Sequence, residues 1–274
     1  MWKQIDGYSL EKWKDIKLHE WILQDQIRNT AFKAALEEVV QNSDVVLDLG
    51  FGLGYLSSLA LESGASRVYG IEYHQNIIEE AKRRVTNAKV RFLLGKSTEL
   101  STNSLEPVDV IVSETLGFMG VGENIVKYVA DARKKWLKDY GKIIPAEIEL
   151  YLSPVFVPKS SSASQVMCEI KPEYLVGEPQ MLAKFDLYSD DEVLIDKDLT
   201  FRLRGAKING FAGWFKAKLS ENVTLDTSPF KPQTCWHQML YPIGNMQEES
   251  VKTNVASYEK NGLILLRVTP DSLK

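Results

Sequence analysis

Glu114 and Glu123 are the two residues in this 274-residue chain whose types and spacing point most directly to chemistry. They close the run Ser113-Glu114-Thr115-Leu116-Gly117-Phe118-Met119-Gly120-Val121-Gly122-Glu123, which follows the strand-like segment Val108 to Val112. Glycines at 117, 120 and 122 let such a loop fold back, so that the two acids stand as the arms of a clamp. A clamp of this kind suits a guanidinium, whose planar fork of donors pairs bidentately with carboxylates. A free guanidinium has a pKa of roughly 12.5 to 13.8 and offers no lone pair to an electrophile. Two carboxylates draw its charge onto some nitrogens, leaving another able to rehybridise towards a methyl donor along a fixed line of approach. The same acids also read more simply, as an N-cap glutamate and a helix-start glutamate favoured by the dipole of the helix at Asn124.

A methyl donor needs its own site, and Asp48-Leu49-Gly50-Phe51-Gly52-Leu53-Gly54 stands where one is expected, at the end of a first strand. Its glycines allow a sharp turn and a close approach of backbone to ligand. A dinucleotide fingerprint would place its third glycine at position 55, which is Tyr55 here, so the spacing favours S-adenosylmethionine over a nicotinamide cofactor. Glu72 ends the second strand, 22 residues past Gly50, where a carboxylate can accept from both ribose hydroxyls. Taken singly, a glycine-rich turn also serves strand-to-helix packing and a strand-end glutamate is often only solvated. Their order along the chain, strand, glycines, helix, strand, glutamate, is what points to the cofactor.

The elements that must position these groups are legible as periodicity. From Ser9 to Val40, apolar residues at helical spacing predict one or two amphipathic helices. From residue 44 the pattern alternates, with strands over Val45 to Leu49, Arg67 to Glu72, Val90 to Leu94, Val108 to Val112 and Lys142 to Leu150. Between them come helices over Leu53 to Glu62, Asn76 to Val85 and Asn124 to Leu137, with Pro145 marking an irregularity in the last strand. This is an α/β class chain, with a doubly wound, Rossmann-like parallel sheet. Beyond Leu150 the helical signal stops, and short β-branched and apolar runs predict an antiparallel, β-barrel-like part, with a loop over 159 to 164 and a solvated turn over 189 to 192. The expected organisation is an N-terminal helical segment over 1–43, the cofactor-binding domain over 44–150 and the barrel-like domain over 151–274.

Composition excludes several classes. The net charge is −4 and no basic stripe is present, Lys82-Arg83-Arg84 fitting a solvated helix face, so a nucleic-acid partner is not expected. The start, Met1 to Asp6, has no apolar leader, and no apolar run reaches the roughly 20 residues of a membrane span. A soluble, cytoplasmic protein with no membrane partner is expected. Cys168 and Cys235 stand far apart and His19, His74 and His237 are scattered, so no disulfide framework and no metal site are expected.

With these motifs in place, the chain resembles the protein arginine methyltransferases, whose double-glutamate loop has the form Ser-Glu-x-x-Gly-x-x-x-x-x-Glu matched from Ser113 to Glu123. His19-Glu20-x-x-Leu23-x-Asp25-x-x-Arg28 resembles the family's helix over the cofactor, and Pro232-x-Thr234-Cys235-Trp236-x-Gln238 its Thr-His-Trp loop. The resemblance implies that Glu114 and Glu123 clamp the substrate and that His19, Arg28, Asp48, Gly50, Gly52, Glu72 and Thr98 serve S-adenosylmethionine, Arg28 holding its carboxylate. It also places Trp236, Asp25 and Trp13 on the substrate side. It implies an arginine-containing protein or peptide as substrate. The alternatives are a small guanidine metabolite and a non-catalytic, cofactor-binding scaffold.

The chain departs from the family pattern at several places. Ser9-Leu10-x-x-Trp13 stands where the family has Tyr-Phe-x-x-Tyr, so one hydroxyl near the reacting centre is missing. Cys235 replaces the histidine that pairs with the aspartate at position 25; His237, if its segment is extended, faces the same side and is an alternative partner for Asp25. Ile22 and Ile125 stand where methionines are common in members that make asymmetric dimethylarginine. Between Val155 and Phe185 the chain is too short for the family's dimerisation arm, which implies a monomer or an atypical dimer.

Overall fold

The alternation that begins at residue 44 folds as a five-stranded, all-parallel sheet in the computed structural model of the chain, which describes residues 3–4, 9–158 and 163–271. The first half runs β1 (Lys3–Gln4), α1 (Ile16–Ile22), α2 (Gln26–Val39), β2 (Val45–Leu49), α3 (Tyr55–Glu62), β3 (Arg67–Glu72), α4 (Gln75–Arg84), β4 (Val90–Leu94), β5 (Val108–Ser113), α5 (Ile125–Trp136) and β6 (Leu137–Ile144). The second half is all strand: β7 (Glu147–Val155), β8 (Val166–Cys168), β9 (Gln180–Asp186), β10 (Asp196–Arg202), β11 (Lys207–Lys218), β12 (Thr224–Asp226), β13 (Gln238–Gln247), β14 (Ser250–Lys260) and β15 (Leu263–Pro270).

The parallel sheet is ordered β4-β3-β2-β5-β6, so the strand order reverses between β2 and β5 and a crevice opens at their carboxyl ends. β2, β3 and β5 are buried along almost their whole length, as central parallel strands covered on both faces must be. The covering helices show the expected 3.6-residue period. α2 turns Arg28, Asn29, Phe32, Ala35 and Leu36 inward, and α5 turns Ile125, Val126, Val129, Ala130, Ala132 and Trp136. The basic run at the end of α4 is a solvated face, with Arg83 paired to Glu80 and Arg84 to Glu80 and Glu20.

The second half forms a seven-stranded antiparallel sheet, β1-β8-β13-β11-β7-β9 with β12 on β11, and a three-stranded sheet, β10-β14-β15. The two are barrel-like without closing into one hydrogen-bonded ring. The strand expected over Lys142 to Leu150 is in fact two strands in different sheets, because Pro145 has no N–H to continue a ladder. The expected boundary at 150 therefore cuts β7, and the chain changes sheet at Pro145 and Ala146. β8, β9, β12 and β14 were not marked by the sequence. β8 and β12 have only three residues each, and the partly buried, polar-rich β14 dilutes any apolar run.

Where the family's helical arm would fall, the described residues between Val155 and Gln180 hold β8, a 3-10 turn at Pro172–Tyr174 and no α-helix. Val157, Val166, Cys168 and Ile170 instead pack on Ala212, Trp214 and Leu240, so this segment covers the sheet. Of the expected loop over 159 to 164, residues 159–162 lie outside the described residues. The expected turn near 189 is tied to α5, since Arg133 and Lys134 both bond Asp191, at 2.8 and 2.5 Å.

The two halves share one apolar core, continuous from Phe32 and Val112 through Leu116 and Ile125 to Phe211 and Phe215. Ser113 stitches the crevice at its floor. It lies beside Leu49 in the parallel ladder, donates its hydroxyl to the Leu49 carbonyl at 2.9 Å, and meets the Thr115 hydroxyl at 3.0 Å. Ser113→Ala leaves that buried carbonyl short of a partner, so urea denaturation should show a loss of about 1–2 kcal/mol.

Candidate active site

Nine of the residues singled out by the sequence line one cavity at the carboxyl ends of β2, β3 and β5: Trp13, His19, Arg28, Gly50, Gly52, Glu72, Glu114, Glu123 and Trp236. Its floor is the turn after β2. Gly50 and Gly52 have φ of +76° and +54°, a region L side chains rarely adopt. A Cβ on Gly50 would run into Thr115, and one on Gly52 would stand 2.9 Å from His19 Nδ1, so the backbone itself forms the cradle. The His19 ring is steadied from the other side, its Nε2 lying 2.7 Å from the Trp13 carbonyl oxygen and its face meeting the Trp13 ring edge at 5.8 Å. Glu72 is 6% exposed, and its Oε1 accepts from the N–H groups of Tyr73 and His74 at 2.9 and 3.0 Å, which fixes the carboxylate at the cavity wall.

The centre of the site is a buried ion pair. Arg28 donates from Nε and Nη2 to Glu114 Oε2 at 2.8 and 2.6 Å, and from Nη1 to Asn29 Oδ1 at 2.8 Å. Burial alone would lower the Arg28 pKa; the charge and hydrogen bonds of Glu114 outweigh it and hold the guanidinium above its ordinary value. Both bonds fall on Oε2, and Glu114 Oε1 makes no hydrogen bond among the described residues. Arg28 is set in place by Asp25, the N-cap of α2. Asp25 Oδ1 accepts from the N–H groups of Ile27 and Arg28 at 3.0 Å, and Oδ2 from the Cys235 N–H at 2.7 Å.

That last bond corrects one expectation. The segment at Cys235–Trp236 is a turn, and His237 has φ +51°, so it is not extended. Asp25 is held by the backbone of Cys235 itself. The Cys235 thiol is pushed far up by burial and by the charges of Glu114 and Asp25, and so stays protonated.

Glu123 lines the same cavity as Glu114 and lies close enough to feel its charge. Removal from water, then the charges of Glu114 and Glu72, raise its carboxyl well above the usual carboxylate range. Gly117, at φ +59°, lets the loop close this far, since a Cβ there would lie 2.9 Å from Glu123 Oε1. Trp236 walls the opposite side and meets Phe215 edge-on at 5.5 Å.

Three expected site residues do not line the cavity. Asp25 acts from behind, as above. Asp48 is fully buried under the glycine turn, accepts from the Ser57 hydroxyl at 2.6 Å on Oδ2, and has no hydrogen-bond partner on Oδ1. Burial pushes its carboxyl up to about 7, against the lowering by the Ser57 bond and the charge of Arg28. Thr98 is exposed on a short 3-10 turn, and the preceding Gly95, Lys96 and Ser97 reach the cavity instead. Thr98 itself stands outside the cavity lining, next to Ser97.

Sequence reasoning also missed Tyr73, Tyr128 and Met167, which line the cavity. Tyr73 directly follows Glu72 and Tyr128 sits one turn into α5, so position along known elements could have found both. Met167 carried no signal, since its place is set by β8 pairing with β13.

The residues present fit S-adenosylmethionine: a side-chain-free backbone cradle, a carboxylate at the strand end and a buried guanidinium for its carboxylate. A switch-point crevice with this cradle defines the class of S-adenosylmethionine-dependent methyltransferases with a Rossmann-like sheet. Residues 46–141 match the family described as Methyltransferase domain.

Among solved structures, the fold is similar to Arabidopsis thaliana protein arginine methyltransferase 10, with TM-score 0.83, 17% identity and coverage of 96% of this chain and 99% of that one. It is also similar to the Trypanosoma brucei PRMT1 enzyme-prozyme heterotetrameric complex with AdoHcy, with TM-score 0.81, 19% identity and 96% of each chain covered. In sequence, the chain is 30% identical to protein arginine N-methyltransferase 6 of Xenopus tropicalis over 268 residues, covering 83% of this chain and 78% of that protein. It is 27% identical to protein arginine N-methyltransferase 6 of Danio rerio, covering 96% and 88%. The chain belongs to the protein arginine N-methyltransferase family, and S-adenosylmethionine is its methyl donor.

Two outcomes follow from this geometry. Gly52→Ala should weaken S-adenosylmethionine binding by about tenfold or more in calorimetry, because the new Cβ meets His19 in a strained backbone. The folded Asp48 carboxyl, at about 7, lies above its unfolded value near 3.9, so the native state binds the extra proton. Stability therefore falls as pH rises from about 4 to about 7, with Glu123 acting in the same sense; Asp48→Asn should flatten that slope in denaturation curves measured across pH.

Proposed function

We propose that the protein methylates a guanidino nitrogen of arginine in a protein or peptide, with Glu114 and Glu123 as the clamp. The observation that carries this reading is the facing pair of carboxylates at the cofactor crevice, one anchored by Arg28 and the other desolvated. Curated relatives named protein arginine N-methyltransferase 6 and histone-arginine methyltransferase support the substrate class.

The bound cofactor supplies an electrophilic methyl group on a sulfonium. Glu114, fixed through Oε2 by Arg28, presents Oε1 to the substrate. Entry of a guanidinium between the acids gives Glu123 the opposite charge that its site otherwise lacks, so Glu123 binds as the carboxylate. Together the two acids would localise the substrate's charge and leave one nitrogen free to accept the methyl group that the bound cofactor would supply, with Glu123 or solvent taking the proton which that nitrogen sheds. Trp236 and Trp13 bound the acceptor. His19, Glu72, Gly50 and Gly52 hold the cofactor with Arg28, while Asp25 and Asp48 act on these groups from behind.

A monomer or a dimer built differently from the arm-bearing kind fits the absence of an α-helix among the described residues between Val155 and Gln180. A cytoplasmic location without a nucleic-acid partner fits a net charge of −4; no helix among the described residues is long and apolar enough to cross a membrane. The same missing arm favours a second reading, a small guanidine metabolite as acceptor, because it leaves the mouth uncovered on one side.

Intact-mass detection with arginine peptides, free arginine and agmatine separates the two. The expected result is a gain of one or two methyl groups on the peptides. Glu123→Gln should lower turnover by about 10²- to 10³-fold with cofactor binding retained. It should also raise thermal stability at pH 8, because it removes a desolvated carboxylate.

A further inference from the structure

Glu123 sits between two hydrogen bonds to the last hairpin of the chain. On one side of it, the Gly122 carbonyl accepts from the N–H of Ile264 at 2.9 Å; on the other, Asn124 Nδ2 donates to the Gly262 carbonyl at 3.2 Å. Both partners lie at the turn joining β14 and β15, about 140 residues away along the chain. That turn is rigid by construction. Its central residues are Asn261 and Gly262, with φ of +54° and +79°, the pairing a two-residue type I′ hairpin requires. Asn124 is itself left-handed, at φ +63°, a conformation that asparagine tolerates better than most residues.

Within the clamp loop the Gly122 N–H donates to the Phe118 carbonyl at 2.9 Å and the Asn124 N–H to the Val121 carbonyl at 3.0 Å, bonds that shape the loop but run only within it. The loop is fixed to the second half of the chain from outside, by the Phe215 ring against Gly120 and by the hairpin against residues 122 and 124. The charges of Glu114 and Glu72 act against ionisation of Glu123, so its place beside them rests on the contacts that fix the loop.

Resting on the arginine-clamp reading above, we propose that the β14–β15 turn is a positioning element for the methyl-transfer step, holding Glu123 against Glu114 through Asn124 and Gly122. Asn261, Gly262 and Ile264 thereby act on catalysis without touching substrate or cofactor.

The test is Asn124→Gly, which keeps the left-handed backbone and removes the donor, alongside Gly262→Ala, which strains the turn from the other side. Each should lower kcat by about 10- to 100-fold while S-adenosylmethionine affinity stays within about twofold. The double variant should be no slower than the worse single one, because both break the same link. The carboxyl of Glu123, followed by carbon-13 NMR in the protein alone, should titrate closer to the ordinary range in both variants, as it moves off Glu114, Glu72, Tyr73 and Tyr128 towards water. Unchanged kcat and titration in a folded variant would overturn the proposal. So would a fall in kcat with the Glu123 titration unmoved, which marks a general loss of structure. A wild-type protein that methylates no guanidine, but whose Glu123 titration shifts in the variants, would sink the arginine-clamp reading and leave the positioning role of the hairpin standing.

Discussion

One buried ion pair fixes the geometry of the crevice. Arg28 and Glu114 come from elements 86 residues apart in sequence, and each would be an uncompensated charge without the other. Their pairing brings the N-terminal helices down onto the double-glutamate loop and so roofs the cavity. It also leaves the guanidinium at the cavity wall, bonded to Glu114 through Nε and Nη2. Asp25 links this pair to the rest of the fold, since its two oxygens join the start of α2 to the loop that carries Trp236.

The second acid obeys the opposite constraint. Glu123 has two like charges before it and little water around it, so in the free protein its carboxyl favours the protonated form, and a cation beside it would favour the carboxylate. A pocket that stabilises one carboxylate internally and leaves its neighbour in want of a cation is selective for a substrate carrying a delocalised positive charge. The same arrangement costs folding free energy in the free protein, the usual tension between a functional site and stability.

The two halves of the chain meet where this site lies. The parallel sheet supplies the cradle and both acids; the antiparallel half supplies Trp236, the Cys235 N–H, and the Phe215 and hairpin contacts that hold the loop shut. With Cys235 at this position the link to Asp25 runs through the backbone N–H, which any residue but proline supplies. The chemistry therefore depends on packing between the halves as much as on any single motif.

The sequence by itself determined the parallel sheet, the cradle of Gly50 and Gly52, the strand-end Glu72 and the paired acids, because each rests on local spacing: a period of 2.0 or 3.6, or a glycine where the backbone must be left-handed. Even so, it ran the end of β6 into the start of β7, since the apolar residues Ile143, Ile144, Ile148 and Leu150 follow one another closely and only pairing partners distinguish the two strands. Thr98 was placed by its offset in a motif, yet a single 3-10 turn carries it outward and puts Ser97 inside. Only the tertiary structure decided which oxygen of Glu114 Arg28 takes, that Asp25 takes the Cys235 N–H, that Met167 reaches the cavity, and that the final hairpin grips residues 122 and 124. All four are contacts between residues distant in sequence, whose separation is set by the docking of one half on the other, and no periodicity along the chain encodes that distance.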